Sequence, residues 1–209
     1  MTTDQKQAAE LVAVARSLFD RGYSFGTAGN LSVRAGDTIL VTPTGSSLGS
    51  LAADALARID SAGNIIGEIR PSKEAHFHLA IYRARPQCAA VVHLHSTYAT
   101  AVSCLRNLDM EDALPALTPY YAMRVLKLPV VPYLPPGDPA LADEVERRAA
   151  STTALLLRNH GSITAGTTLA EAAALSEELE EASRLYFLLG DRAQSLTAAQ
   201  VLELRRRFQ

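Results

Sequence analysis

At 209 residues the chain is long enough for one domain, residues 1–209, with an ample core. Its 48% hydrophobic and 20% charged residues exclude a disordered or low-complexity polymer, and a formal net charge of −2 argues against nucleic acid as a main partner. No apolar run approaches membrane-spanning length and Met1-Thr2-Thr3-Asp4-Gln5 does not open a signal peptide, so a cytoplasmic protein with no membrane partner is expected.

Apolar Leu11, Val14, Ala15, Leu18 and Phe19 recur at helical spacing and predict a helix over about 3–21, ended by Gly22 as a C′ glycine. A glycine-punctuated turn, Phe25 to Asn30, precedes a short strand over 31–34. Ala35-Gly36-Asp37 turns it into a second strand over 38–42, and a further hairpin is expected over 58–69. Ser72 is placed to cap a helix over about 73–83, followed by a strand over 89–95 and a helix near 97–105. Residues 107–122, with Pro115 and Pro119, read as loop. A short strand over 129–133 follows, and Asp138-Pro139 opens a helix of about ten residues. Strands over 153–158 and 162–165 flank a turn at His160-Gly161, and helices over 168–190 and 197–207 complete the chain. A strand-rich middle between helical flanks predicts an α/β fold with a mostly antiparallel sheet covered by helices. Cys88 and Cys104 lie in no metal or redox motif and read as buried, reduced thiols. Arg205-Arg206-Arg207 reads as a solvated helix end rather than a binding patch.

The chemistry concentrates in four residues. In Val91-Val92-His93-Leu94-His95 two histidines two apart project from one face of a strand, which is a chelating geometry, while Leu94 faces the opposite side. His160, just after the apolar run Ala154 to Leu157, supplies a third imidazole, and three imidazoles with an open position mark a catalytic metal site. Glu74, at the start of a helix, is the candidate acid/base and a ligand of the empty site. His76 and His78 lie about 200° apart around that helix, so they cannot share a ligand site and read as structural or solvent-facing. Three hydroxyl- and glycine-rich turns, Gly26 to Asn30, Thr44 to Ser47 and Ser72-Lys73, are suited to cradle a phosphate, with Lys73 adding charge.

These residues fall into ordered motifs: Gly29-Asn30-Leu31-Ser32-Val33-Arg34, Thr42-Pro43-Thr44-Gly45, Ser72-Lys73-Glu74, Val92-His93-Leu94-His95-Ser96 and Asn159-His160-Gly161. Together they resemble the class II aldolase/adducin family over nearly the whole chain. The resemblance implies αβα layers around a mixed, mainly antiparallel central sheet, and a homotetramer with sites near subunit interfaces. It also implies Zn²⁺ or another divalent metal, one per subunit, on His93, His95 and His160, with Glu74 as acid/base and resting ligand. Phosphate contacts map to Gly29, Asn30, Thr44, Gly45 and Ser72.

Within the family, Pro71-Ser72-Lys73-Glu74, His93 to Thr100, Leu117-Thr118-Pro119-Tyr120-Tyr121 and Pro136-Gly137-Asp138-Pro139 resemble the subgroup of 3-oxo-tetronate 4-phosphate decarboxylases. That resemblance implies a phosphorylated sugar acid as substrate, with Lys73 beside it. The family's site tyrosine lies in the 115–123 region, where Tyr120 is favoured over Tyr121. Two other readings stand beside it: a sugar-phosphate aldolase of the fuculose-phosphate type, and a metal-free, adducin-like scaffold.

Overall fold

In a computed structural model of the protein, residues 2–125 and 127–208 are described. The first helix, α1 (Thr3–Asp20), begins at a capping box in which Thr2 and Gln5 exchange side-chain and backbone hydrogen bonds. It ends as its pattern requires: Gly22 N–H donates to Phe19 O and Tyr23 N–H to Leu18 O, the paired bonds of a Schellman motif. The strands β1 (Asn30–Ala35) and β2 (Thr38–Val41) form the expected hairpin, and β3 (Ala57–Ile59) and β4 (Ile65–Ile66) form the next. Then follow α2 (Ala75–Ala84), β5 (Ala90–Leu94), α3 (Thr97–Ser103), α4 (Pro119–Arg124), β6 (Val130–Val131), α5 (Pro139–Ala149), β7 (Ala154–Leu157), β8 (Gly161–Gly166), α6 (Leu169–Leu189) and α7 (Ala198–Phe208).

The eight strands make one sheet in the order β4-β3-β2-β1-β5-β8-β7-β6, antiparallel throughout except for the β6–β7 pair. Period-2 alternation assigns its faces. Ile39, Val91, Leu155 and Ile163 pack beneath α2 and α5, while Leu31, Leu40, Val92 and Leu94 pack beneath α1 and α6. A third apolar cluster joins α3, α4 and α6 to β6 and β7. This is the expected layered, mainly antiparallel α/β fold.

Three readings are corrected. Residues 107–122 are not loop throughout, because Thr118 caps α4 by accepting from Tyr121 N–H at 3.1 Å and Pro119 takes the first helical position. The helix after Ser72 starts two residues late, at Ala75. Ser72 Oγ accepts from Glu74 N–H at 3.2 Å, and the His76 ring caps Lys73 O at 2.8 Å, so a tight turn precedes the first regular helical turn. Cys88 is buried, but Cys104 is exposed, since α3 ends one residue before it. Among the described residues no helix is long and apolar enough to cross a membrane.

Candidate metal centre and active-site cleft

Sheet register assembles the site. Asn30 pairs with His93 across β1–β5, and Leu94 pairs with Ser162 across β5–β8. The β7–β8 turn therefore lands beside the end of β5, where Asn159 adopts a left-handed φ of 56° and delivers His160 next to His95. Two glycines allow this crowding. A Cβ on Gly161 would lie 2.4 Å from Leu94 O and 3.1 Å from His95 Cδ2. One on Gly29, whose φ is +79°, would lie 2.8 Å from His93 O.

The quartet read from the sequence comes together. His93 Nε2 lies 2.9 Å from His95 Nε2 and 3.3 Å from Glu74 Oε2, and His160 Nε2 lies 3.1 Å from Glu74 Oε1. One ligand atom from each of the four lies within 4.8 Å of all the others. A tetrahedral site with bonds of about 2.05 Å has edges of about 3.3 Å, so these separations suit a single ion with little rearrangement. His93 Nδ1–H donates to Ser162 O at 2.8 Å, which fixes the tautomer and leaves Nε2 as a bare donor atom toward the centre. Burial pushes His93 down to about 3 and also lowers His95, so both rings are neutral and ready to ligate at neutral pH. Burial works against the Glu74 anion, yet the hydrogen bonds with His160 and Asn30 outweigh that and hold it well below the usual carboxylate range.

Because Glu74 is the residue before α2, its side chain is free of the helix surface and makes no capping bond. It reaches into a cleft of about 320 Å³ whose walls include all six residues expected to contact substrate: Gly29, Asn30, Thr44, Gly45, Ser72 and Lys73. Two backbone bonds tie the second and third of these turns together, Ser72 N–H to Thr42 O at 3.0 Å and Thr44 N–H to Arg70 O at 3.2 Å. His95 is on the same wall. Asn30 is engaged at both ends of its amide: Nδ2–H donates to Glu74 Oε2 at 2.7 Å, and Oδ1 accepts from His78 at 2.6 Å. Tyr120 is not brought in. It stands 61% exposed on α4 and is absent from the cleft of its own chain, while Tyr121 is buried.

Comparison with known proteins decides the family. The family described as Class II Aldolase and Adducin N-terminal domain matches residues 9–187. The chain belongs to it. A 3-oxo-tetronate 4-phosphate decarboxylase of Haemophilus influenzae is 51% identical over 207 residues, 98% of this chain and 99% of that protein. An L-fuculose phosphate aldolase of Methanococcus maripaludis is 38% identical over 182 residues, 87% of this chain and 97% of that protein. The crystal structure of YgbL from Escherichia coli superposes with a TM-score of 0.94 at 46% identity, covering 97% of this chain and 99% of that one.

Sequence reading missed His78 as a partner of the site. It is fully buried, accepts from or donates to Ser32 and Asn30, and stacks on Phe77 with ring centroids 5.0 Å apart. The signal was present: His78 is four residues after Glu74, about one helical turn on from the residue that opens α2. Comparing His78 only with His76 concealed it.

Proposed function

We propose that this chain is a divalent-metal-dependent carboxy-lyase that converts 3-oxo-tetronate 4-phosphate to dihydroxyacetone phosphate and CO₂. The observation that carries the reading is the Glu74-His93-His95-His160 cluster opening onto a cleft lined by three phosphate-type turns. The decarboxylase name of a half-identical relative, matched nearly end to end, supports this substrate over an aldol.

His93, His95 and His160 would hold the ion, with Glu74 as a further ligand before substrate arrives, and the donor set suits Zn²⁺. When bound, the ion supplies Lewis-acid stabilisation of the negative charge that departing CO₂ leaves on the substrate. The turns at Gly29-Asn30, Thr44-Gly45 and Ser72 receive the 4-phosphate through N–H groups and hydroxyls. Lys73, exposed at the cleft edge, offsets the negative charge of carboxylate or phosphate. The C1–C2 bond breaks, its electron pair passes into the C2–C3 bond and the 3-oxo oxygen takes the charge. A proton added at C2 completes dihydroxyacetone phosphate. Glu74 manages that proton, with Asn30 holding Oε2 and Oε1 lying on the side of His160.

The reading includes a homotetramer with clefts near subunit interfaces. Phe25 and Tyr133 stand 61% and 60% exposed, close in sequence to cleft residues Thr27 and Pro136, as aromatics at an interface rim would. Exposed Tyr120 is then available to a neighbouring chain's cleft. The test is incubation of the purified, metal-loaded protein with 3-oxo-tetronate 4-phosphate and, separately, with fuculose 1-phosphate. CO₂ and dihydroxyacetone phosphate from the first, with no cleavage of the second, are expected. Cleavage of the second alone would establish the aldolase reading instead. Absence of any bound divalent metal, with no turnover on adding Zn²⁺, would establish the scaffold.

A further inference from the structure

Behind Glu74 a second set of polar side chains runs into the core. Glu74 stands at the N-cap of α2, and His78 and Tyr82 follow it at steps of four residues, with His78 and Tyr82 on one stripe of the helix about 6 Å apart along its axis. On β1, Asn30, Ser32 and Arg34 alternate on the face toward α2, rising about 6.8 Å per two residues. The near match of these repeats lets the two rows interleave. Asn30 lies between Glu74 and His78, and Ser32 lies between His78 and Tyr82, at 2.8 Å from each. Arg34 closes the row, with its guanidinium 4.6 Å over the Tyr82 ring. Ser32, His78 and Asn30 are at most 5% exposed, and Tyr82 is 3% exposed.

The direction of every bond in this row follows from one fact: an ionised carboxylate only accepts. Glu74 Oε2 must therefore receive an N–H from Asn30, which turns Asn30 Oδ1 toward His78. His78 must then present N–H at Nε2, so its Nδ1 accepts. Ser32 O–H fills that acceptor, and Ser32 Oγ in turn receives the Tyr82 hydroxyl. A reversed row would set Asn30 Oδ1 against the Glu74 oxygen. Each buried polar atom in the row has one consistent partner, so the row resists rotation of any single member.

We propose that His78 is a positioning residue: held by Ser32 and Tyr82, it fixes the amide of Asn30 and thereby the pose of the Glu74 carboxylate, with Oε2 on Asn30 and Oε1 on the side of His160. The proposal rests on Glu74 as the acid/base of the reading above. Without the His78 donor the Asn30 amide can turn over, and Glu74 loses the bond that sets which of its oxygens faces Asn30 and which faces His160.

The test compares His78→Leu, His78→Gln, Ser32→Ala and Glu74→Gln in the metal-loaded enzyme, with metal content measured for each and 3-oxo-tetronate 4-phosphate as substrate. His78→Leu is expected to lower kcat about 10–100-fold, keep its metal and leave KM within about twofold, because a misaimed group harms the reacting step more than binding. His78→Gln, whose side-chain amide can donate to the same Asn30 oxygen, is expected to recover most of kcat. Ser32→Ala, a smaller change that carries the same test should His78→Leu not fold, is expected to lose about 3–10-fold. Apart from turnover, ¹⁵N-histidine NMR of the metal-free protein should show a ring protonated at Nε2 and bare at Nδ1, assigned to His78 by its loss in His78→Gln. An Nδ1-protonated His78 overturns the proposal. So does a metal-replete His78→Leu or Ser32→Ala enzyme with unchanged kcat while Glu74→Gln is inactive. Full turnover in Glu74→Gln overturns the functional reading, and this proposal with it.

Discussion

Two buried tyrosine hydroxyls, Tyr82 and Tyr121, are treated in opposite ways. At the cleft end, between β1, α2 and β5, the hydroxyl of Tyr82 meets Ser32, and the row behind it continues unbroken to Glu74. At the far corner, between α4 and α7, the hydroxyl of Tyr121 is buried and has no hydrogen-bond partner among the described residues. That corner carries an open groove of about 550 Å³ and α7 buries none of its residues. An unmet polar group weakens a structure and a met one constrains it. The difference teaches that the Tyr82 hydroxyl is tied into the row that orients Glu74, whereas the Tyr121 hydroxyl is tied to no such row among the described residues.

The largest expected effect comes from removing an imidazole. His95→Ala should reduce bound metal well below one per subunit and turnover to background, checked by elemental analysis beside the assay. Glu74→Gln should keep the metal and still lose about 10²–10⁴-fold in kcat, the usual range for an acid/base group. Retention of turnover there would erase the contrast between the two ends.

Packing gives the next effect. Gly161→Ala puts a Cβ 2.4 Å from Leu94 O and should destabilise the fold by about 1–3 kcal/mol, read from the denaturation midpoint. Gly137, on a turn where a Cβ meets nothing within 4 Å, offers a control for the cleft's crowding despite its own φ of +88°.

A pH series sharpens the comparison further. Burial pushes His78 from an ordinary 6.5 to about 3, so between those values the unfolded chain binds a proton that the folded chain refuses. The contribution of neutral His78 is fully present above about pH 6.5 and is lost as pH falls toward 3. The melting temperature should decline over that window, and His78→Gln should decline less steeply.

The smallest effect is the most direct test of the contrast. Tyr82→Phe removes a donor that Ser32 uses and should cost about 0.5–1.5 kcal/mol. Tyr121→Phe removes a hydroxyl with no partner and should be neutral or slightly stabilising. Equal costs at both positions would mean that the two ends do not differ.

Much of the site was legible because its signals are local. His93 and His95 share a face by the period of a strand, and Leu94 packs on the opposite side as expected. Thr118-Pro119 was equally legible as a helix start and was overridden by the prolines around it, so α4 was read as loop. Cys104 was misplaced by a shift of one residue at a helix end, which exchanges a buried position for an exposed one.

By itself the sequence determined most of the elements, the paired histidines, the phosphate-type turns and the family, because periodicity, capping and turn chemistry act within a few residues. Only the tertiary structure decided which residues meet. The register of β1 on β5 puts Asn30 beside His93, and the near-equal repeats of α2 and β1 interleave Glu74, His78 and Tyr82 with Asn30 and Ser32. The partners between α2 and β1 are 44 to 50 residues apart, and contacts at that separation are set by how a helix packs on a sheet rather than by any neighbour in the chain.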